Sequence, residues 1–213
     1  MTSEKSVLDE VYAASSAEEL AAAYAKWSSE YDRETIGLGY CLPFIIAAWV
    51  ARYVPVGGGP LLDAGCGTGL SGPYLRALGY DAIEGLDFSQ EMLRLAGQRN
   101  AYRALKRATL GETLPWPDRH FAAFLSTGVF TEGHAPSSSL DELVRIVSPG
   151  GAVIFTVRES VIEAGGFRQR FAALTDAGRW TAVEESEPFR AFAVAEPEVT
   201  VKAFVFRVGP SGS

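Results

Sequence analysis

Cysteine and histidine are scarce, with two of each in 213 residues. Two cysteines, Cys41 and Cys66, build no disulfide framework, and neither has cysteine or histidine neighbours at metal-ligand spacing, so no metal centre is expected. No uninterrupted apolar run approaches the ~20 residues that span a bilayer, and the longest candidate, Leu42 to Val54, is broken by Pro43 and Arg52. The first residues, Met-Thr-Ser-Glu-Lys-Ser, do not lead from a basic region into an apolar core, so no secretion signal is read and a cytoplasmic location is expected. Positive charge is also in deficit, at 19 Lys and Arg against 26 Asp and Glu, for a net charge of -7. Such a balance argues against affinity drawn from neutralising phosphates, and neither nucleic acid nor membrane is expected as a partner. The densest basic cluster, Arg99, Arg103, Lys106 and Arg107, reads as the solvated face of a helix end, with a local basic patch as the alternative. Repeats and low-complexity segments are absent.

The composition, 47% hydrophobic and 21% charged, is that of a globular chain with one core. Ser15 or Ser16 can cap a first helix, with Glu18 and Glu19 in capping-box spacing, and Leu20, Ala23, Tyr24, Trp27 and Tyr31 then form one apolar and aromatic stripe. A second helix over Pro43 to Tyr53 precedes the breaker Gly57-Gly58-Gly59-Pro60. Strands and helices alternate beyond it. Strands are expected at Leu61 to Ala64, Ala82 to Leu86, near Ala108, at Phe121 to Ser126 and at Ala152 to Val157, with helices at Leu70 to Leu78, Gln90 to Tyr102 and Ser139 to Val147. A helix near Phe167 to Ala177 leads to two strands, Trp180 to Glu184 and Val199 to Val208. Two strands with no helix between them pair antiparallel. The expectation is therefore an α/β, Rossmann-like, doubly wound and mostly parallel seven-stranded sheet with an antiparallel edge strand and an N-terminal helical lid. Residues 1–56 would form the lid segment and residues 57–213 the ligand-binding core, within one domain overall.

Leu61 to Gly69 reads Leu-Leu-Asp-Ala-Gly-Cys-Gly-Thr-Gly, an apolar strand that ends in an acid and breaks into alternate glycines. Glycines just past the C-terminal end of a parallel strand let the backbone approach a ligand at the crevice of an open sheet. The spacing Gly65-x-Gly67-x-Gly69 lacks one residue of the dinucleotide pattern G-x-G-x-x-G. With Asp63 just ahead of it, the turn suits a ligand with a cationic amino acid end better than a diphosphate, and S-adenosylmethionine (SAM) is such a ligand. Asp87, in Gly-Leu-Asp-Phe-Ser at the end of strand two, is placed to accept both hydroxyls of a ribose. Ser89 behind it is a natural helix cap.

From about Tyr24 to Val157 the sequence resembles the class I SAM-dependent methyltransferases. Leu62 to Gly69 is similar to the family's first motif and Gly85-Leu86-Asp87-Phe88-Ser89-x-x-Met92-Leu93 to its second. Leu114-Pro115-Trp116-Pro117-Asp118-x-x-Phe121 is similar to the approach to strand four, and Pro149-Gly150-Gly151 to the turn before strand five. The resemblance implies that Asp63 and the backbone at Gly65 and Gly67 hold the methionine end, that Asp87 holds the ribose, and that Phe88 and Met92 lie against the adenine. Cys66 would be a small filler beside the cofactor. Many relatives carry an acid for the adenine amino group where this chain has Leu110, so adenine recognition would rest on backbone groups near Leu110 and Gly111. Tyr24-x-x-Trp27-x-x-x-Tyr31-Asp32 resembles a segment that folds over the cofactor in small-molecule members, an ordinary packing helix being the other reading.

Thr127 to His134, after strand four, is similar to a run in the Williams-Beuren-region methyltransferase-like proteins and faces the ligand crevice, with Thr127 at the cofactor. His134 is a candidate proton acceptor, or else pins its own loop, and Glu132 would orient it or neutralise a cationic substrate. His120 reads as structural. The aromatics Phe167, Phe171, Trp180, Phe189 and Phe192 are candidate walls of an acceptor pocket, or core. The expected activity is transfer of a methyl group from SAM to a small-molecule acceptor, leaving S-adenosyl-L-homocysteine (SAH), by a monomer or homodimer. Cleavage of another sulfonium bond with release of methylthioadenosine, and binding of SAM or SAH without turnover, are the alternatives.

Overall fold

The structure, a computed structural model, describes residues 31–210. Tyr24, Trp27 and the capping serines of the expected first helix lie outside the described residues. After helical residues 31–37 come α1 (Leu42–Tyr53), β1 (Leu61–Ala64), α2 (Ser71–Ala77), β2 (Ile83–Asp87), α3 (Gln90–Gln98), β3 (Ala104–Arg107) and β4 (Phe121–Phe130). They are followed by α4 (Ser139–Arg145), β5 (Val147–Arg158), α5 (Glu159–Ala164), α6 (Phe167–Asp176), β6 (Trp180–Glu185), β7 (Phe189–Arg190) and β8 (Thr200–Val208).

The local signals act as their chemistry demands. Ser89 caps α3 by accepting a hydrogen bond from the Met92 amide at 3.3 Å. Gly79, at φ 95°, ends α2 with its amide on the Arg76 carbonyl. Glu142 stands three residues after Ser139, in capping-box spacing, yet forms no such box, because its carboxylate accepts from the Leu114 amide and from Arg145 instead. Helix α5 carries no strong sequence signal and is formed where Val161 and Ile162 reach the core.

The sheet runs β3-β2-β1-β4-β5-β8-β6, with β7 also on β8. Strands β1 to β5 are parallel, and β8 pairs antiparallel with β5, β6 and β7. The mixed far edge is thus as expected, but the antiparallel strand is an inner one and β6 takes the edge. Eight segments fill seven positions. Because β5 occupies one side of β8 over Val201 to Arg207, β6 and β7 must share the other, at Phe204–Val208 and Thr200–Val201. Ser186 interrupts them: its Oγ accepts from the Ala203 amide at 2.9 Å. Strand β4 runs four residues past its expected end because Phe130, fully buried, is carried to Val157 of β5 after a register shift.

Successive residues Leu61 and Leu62 point to opposite faces of the sheet and join different clusters. One face is aromatic. Phe155 lies among Phe124, Phe171, Phe204, Phe206 and Trp180, and Trp180 stacks on Phe206 with ring centroids 3.8 Å apart. Phe167, Phe171 and Trp180 are therefore core rather than acceptor walls. The other face is aliphatic, and Ile46, Ala47 and Val50 of α1 join Leu61, Ile83, Leu125 and Ile154 there. Residues of α1 are part of the same core as the strands.

The basic cluster is not a free solvated face. Arg99 bonds Asp32 and the Thr68 carbonyl, Arg103 pairs with the buried Glu84, Lys106 lies over the Trp116 ring, and Arg107 reaches the Phe88 carbonyl.

Candidate functional site

The strand order reverses between β1 and β4, and the crevice of an open α/β sheet opens at such a point, outside the C-terminal strand ends. A cavity of about 270 Å³ lies there. Its walls come from the glycine turn (Gly65, Gly67), the end of β2 (Leu86, Asp87, Phe88), Met92 of α3, Ala108 to Leu110, Thr127 to Val129, and Gly133 to Ala135, together with Tyr31 and Tyr40. A smaller cavity of about 50 Å³ adjoins it through Tyr31, Tyr40, Gly65, Gly67 and Thr127, and reaches Asp63, Cys66 and Thr68.

The turn is built from backbone hydrogen bonds. Gly65 and Cys66 both donate to the Leu86 carbonyl, at 2.9 and 2.8 Å, which staples β1 to the end of β2. Gly65 sits at φ 75° and Gly67 at φ 53°, in the left-handed region that glycine adopts without strain. A methyl group on Gly65 would collide with Val129, whereas nothing lies within 4 Å of the place where one would stand on Gly67. That space belongs to the two cavities.

Asp87 is buried, and both of its oxygens are already used. Oδ2 accepts from the Gly67 amide and Oδ1 from the Ser89 amide, each at 2.9 Å. A carboxylate oxygen has a second lone pair, so these bonds aim the group without exhausting it. Burial raises Asp87 to about 6, with the bonds from Ser89 and Gly67 opposing. Asp63, 1% exposed on β1, accepts from the Tyr102 hydroxyl at 2.6 Å. Burial lifts it to about 7, the Tyr102 bond acts against that, and the Asp87 charge adds to it. Two buried carboxylates held above their ordinary range, at either side of a glycine turn, suit a ligand that brings a cation to the smaller cavity.

Phe88 and Met92, expected against the adenine, line the larger cavity together with Leu110. Gly111 does not line it: a methyl there would meet Pro136 at 3.2 Å. Cys66 lines the smaller cavity, and its thiol is driven well above its ordinary pKa by burial and then by Asp63 and Asp87, as fits a filler rather than a nucleophile. Thr127 lines both cavities, and its buried Oγ1 has no hydrogen-bond partner among the described residues. An orphaned hydroxyl between two cavities is the mark of a site shaped for a polar ligand, and the residues present fit SAM.

His134 lies at the far wall. Its Nδ1 meets the Glu132 carbonyl oxygen at 2.8 Å and the Thr131 hydroxyl at 2.8 Å. A carbonyl only accepts, so Nδ1 carries the proton and Nε2 is the basic nitrogen. Burial holds the imidazole below its ordinary value, against the opposing Glu132 carbonyl, and keeps it neutral. The Glu132 side chain is elsewhere. It is not among the residues lining the crevice, and its carboxylate takes Arg158 at 3.0 Å and the Ser160 hydroxyl. Glu132 thus orients His134 through its backbone and not its carboxylate. His120 touches Glu84 at 3.4 Å, outside the crevice.

Two site residues had no sequence signal, Tyr40 and Tyr102, which belong to no motif and reach the turn only through the fold. Asp32 and Val129 stand in the runs Tyr24 to Asp32 and Thr127 to His134, but nothing there gave either a role of its own. Phe192, a candidate wall, packs 5.3 Å from Tyr40 and so backs the crevice without lining it. Among the described residues no group of acids, cysteines and histidines is arranged to hold a metal, and no helix is long and apolar enough to cross a membrane.

Comparison with known proteins agrees with this fold. Residues 62–155 match the methyltransferase domain family. The human methyltransferase-like protein 27 is 36% identical over 141 residues, covering 63% of this chain and 56% of that protein. The demethylmenaquinone methyltransferase of Clavibacter sepedonicus is 32% identical over 142 residues, covering 64% and 56%. The chain thus spans about half the length of these relatives. Among solved structures, that of the [4+2]-cyclase SpnF superposes with a TM-score of 0.70 at 20% identity, over 93% of this chain and 98% of that one, a likeness of fold. Motifs, sheet order and matched segment agree: residues 62–155 match a methyltransferase domain and resemble the class I, SAM-dependent family.

Proposed function

We propose that the chain transfers a methyl group from SAM to a small-molecule acceptor. The observation that carries this reading is the pair of buried carboxylates on one glycine turn, Asp87 on the larger cavity and Asp63 on the smaller. Asp87 accepts the ribose hydroxyls with the lone pairs that Gly67 and Ser89 leave. Asp63 faces the ammonium of the amino acid end, with the Thr127 hydroxyl beside it. Phe88, Met92 and Leu110 clasp the adenine, whose amino group finds backbone acceptors and no acid, since Leu110 replaces it. SAM supplies a methyl group on a cationic sulfur, open to in-line displacement.

The protein's part is alignment and exclusion of water. Holding nucleophile and methyl in contact replaces a bimolecular encounter, worth up to ~7 to 11 kcal/mol in favourable cases. Tyr31 and Tyr40 present aromatic faces at the mouth, which suit a sulfonium, and residues 31–37 act as the described part of a lid. His134 accepts the acceptor's proton at Nε2 where the nucleophile must lose one. A small acceptor fits a crevice of this size, and the Clavibacter relative is named for action on demethylmenaquinone. The wild-type chain, incubated with cell extract and SAM carrying a deuterated methyl, should yield SAH and one labelled product. Methylthioadenosine in place of SAH would mean another sulfonium bond is cut, and intact SAM would mean binding without turnover.

A further inference from the structure

Three glycines of the two glycine-bearing segments leave room for one ring. A methyl group on Gly69, Gly72 or Gly85 would stand 2.9, 2.8 or 3.2 Å from ring carbons of Tyr102. Tyr102 is the nearest group at Gly69, while Ala101 crowds Gly72 and Leu105 and Cys66 crowd Gly85 more closely still, so the Tyr102 ring is wedged among these three positions as one of the groups that keep them small. Tyr102 stands between α3 and β3, remote from Asp63 in the chain, and its hydroxyl donates to Asp63 Oδ2 at 2.6 Å. Asp63 lies on a strand buried along its whole length and lines the smaller cavity with Thr127, Tyr31 and Tyr40.

We infer that Tyr102 is a positioning residue whose hydroxyl occupies one oxygen of Asp63 and directs the other toward the ammonium end of bound SAM. This rests on the SAM reading of the site. A carboxylate turns easily about its last bond, and one short hydrogen bond from a wedged phenol removes that freedom before the ligand arrives. The same bond favours the charged form that an ammonium needs. The groups facing Asp63 are Tyr102 from the α3–β3 link, Asp87 from β2, Cys66 from the turn, and Tyr31 and Tyr40 across the cavity. Only Tyr102 donates a side-chain hydrogen bond to it among the described residues. Losing that donor lets burial and the Asp87 charge push the Asp63 proton affinity higher still.

The test is titration calorimetry of SAM and of SAH on the full chain across about pH 5.5 to 8.5, with wild type and Tyr102→Phe. Phenylalanine keeps the ring that fills the three glycine positions, so packing is preserved. The variant should bind both nucleosides about tenfold more weakly at neutral pH, and the midpoint of its acid limb should move to higher pH. In an Asp63→Asn background the same replacement should have little further effect, a coupling that a purely structural role would not produce. Wild-type affinity and an unmoved midpoint in Tyr102→Phe would overturn the inference alone. A wild type that binds neither nucleoside would overturn the cofactor reading and this inference with it.

Discussion

Asp32 accepts a hydrogen bond from the Thr68 hydroxyl at 2.6 Å, and so fastens helical residues 31–37 to the glycine turn. Arg99 closes the triangle, with its guanidinium on the Asp32 carboxylate and its Nε on the Thr68 carbonyl at 2.6 Å. The bond places Tyr31 in the wall of both cavities. Replacing Asp32 by Ala should weaken SAM binding about 3- to 10-fold, at a cost in stability of about 1 kcal/mol, since the pair is only half-buried. Calorimetry and thermal melting read the two effects separately. An unchanged Kd would show that residues 31–37 do not close on the ligand.

Asp87 holds the turn through the Gly67 and Ser89 amides, and in the proposed function it serves the ribose as well. Asp87→Asn keeps the shape, but the amide nitrogen cannot accept, so the amide of either Gly67 or Ser89 loses its partner. Affinity for SAM and SAH should fall about 100-fold or more. Should the variant bind SAH as tightly as the wild type, the ribose is held elsewhere.

The buried acids make the ligand-free fold sensitive to pH. Asp63 at about 7 and Asp87 at about 6 both lie above the ordinary 3.8, so the folded chain keeps protons that the unfolded chain has released. Their contribution to stability is complete below about pH 4 and is lost as the pH rises through 6 and 7. The lowered carboxylates, Glu84, Glu91, Glu132, Glu142 and Glu185, act in the opposite sense, but below their ordinary 4.5. Neutral His134 also gains stability with rising pH, so the comparison to make is with Asp63→Asn. From about pH 5 to 8 the unfolding free energy of the wild type should fall relative to that variant by on the order of a few kcal/mol, read as a falling melting temperature. A difference that stays flat over this range would show Asp63 to be ionised throughout.

His134 has its Nδ1 proton on the Glu132 carbonyl, which leaves Nε2 to act as base. With an acceptor in hand, His134→Gln should lower kcat about 100-fold with little change in Kd for SAM. The wild-type rate should rise with pH through a midpoint below 6.5, because burial depresses the imidazole. An unaffected kcat would reduce His134 to a pin for its own loop.

Much of the site was legible because its parts are contiguous in the chain. The acid and glycines of residues 63–69 and the Asp87 to Met92 run each meet one cavity wall locally, so spacing alone places them. Tyr102 was not legible, and the run that contains Asp32 did not reveal its bonds to Thr68 and Arg99, since these contacts arise only when the ends of β1, β2 and α3 converge. Glu132 shows the opposite case. Two residues from His134, it reads as a side-chain partner, yet Arg158 of β5 draws its carboxylate away and leaves the backbone oxygen to do the orienting. Phe167, Phe171 and Trp180 could be wall or core by composition alone. The stack of Trp180 on Phe206 made them core.

The residues in their order determined the alternation of strands and helices, the glycine turn and the place of the acid proposed to hold the ribose, because hydrophobic period, caps and backbone permissiveness act over a few positions. Only the tertiary structure decided that two strand pieces share one edge, which side chains meet at the crevice, and how the buried acids hold their protons. Those outcomes depend on burial and on distances between segments far apart in the chain, and neither quantity exists until the sheet has assembled.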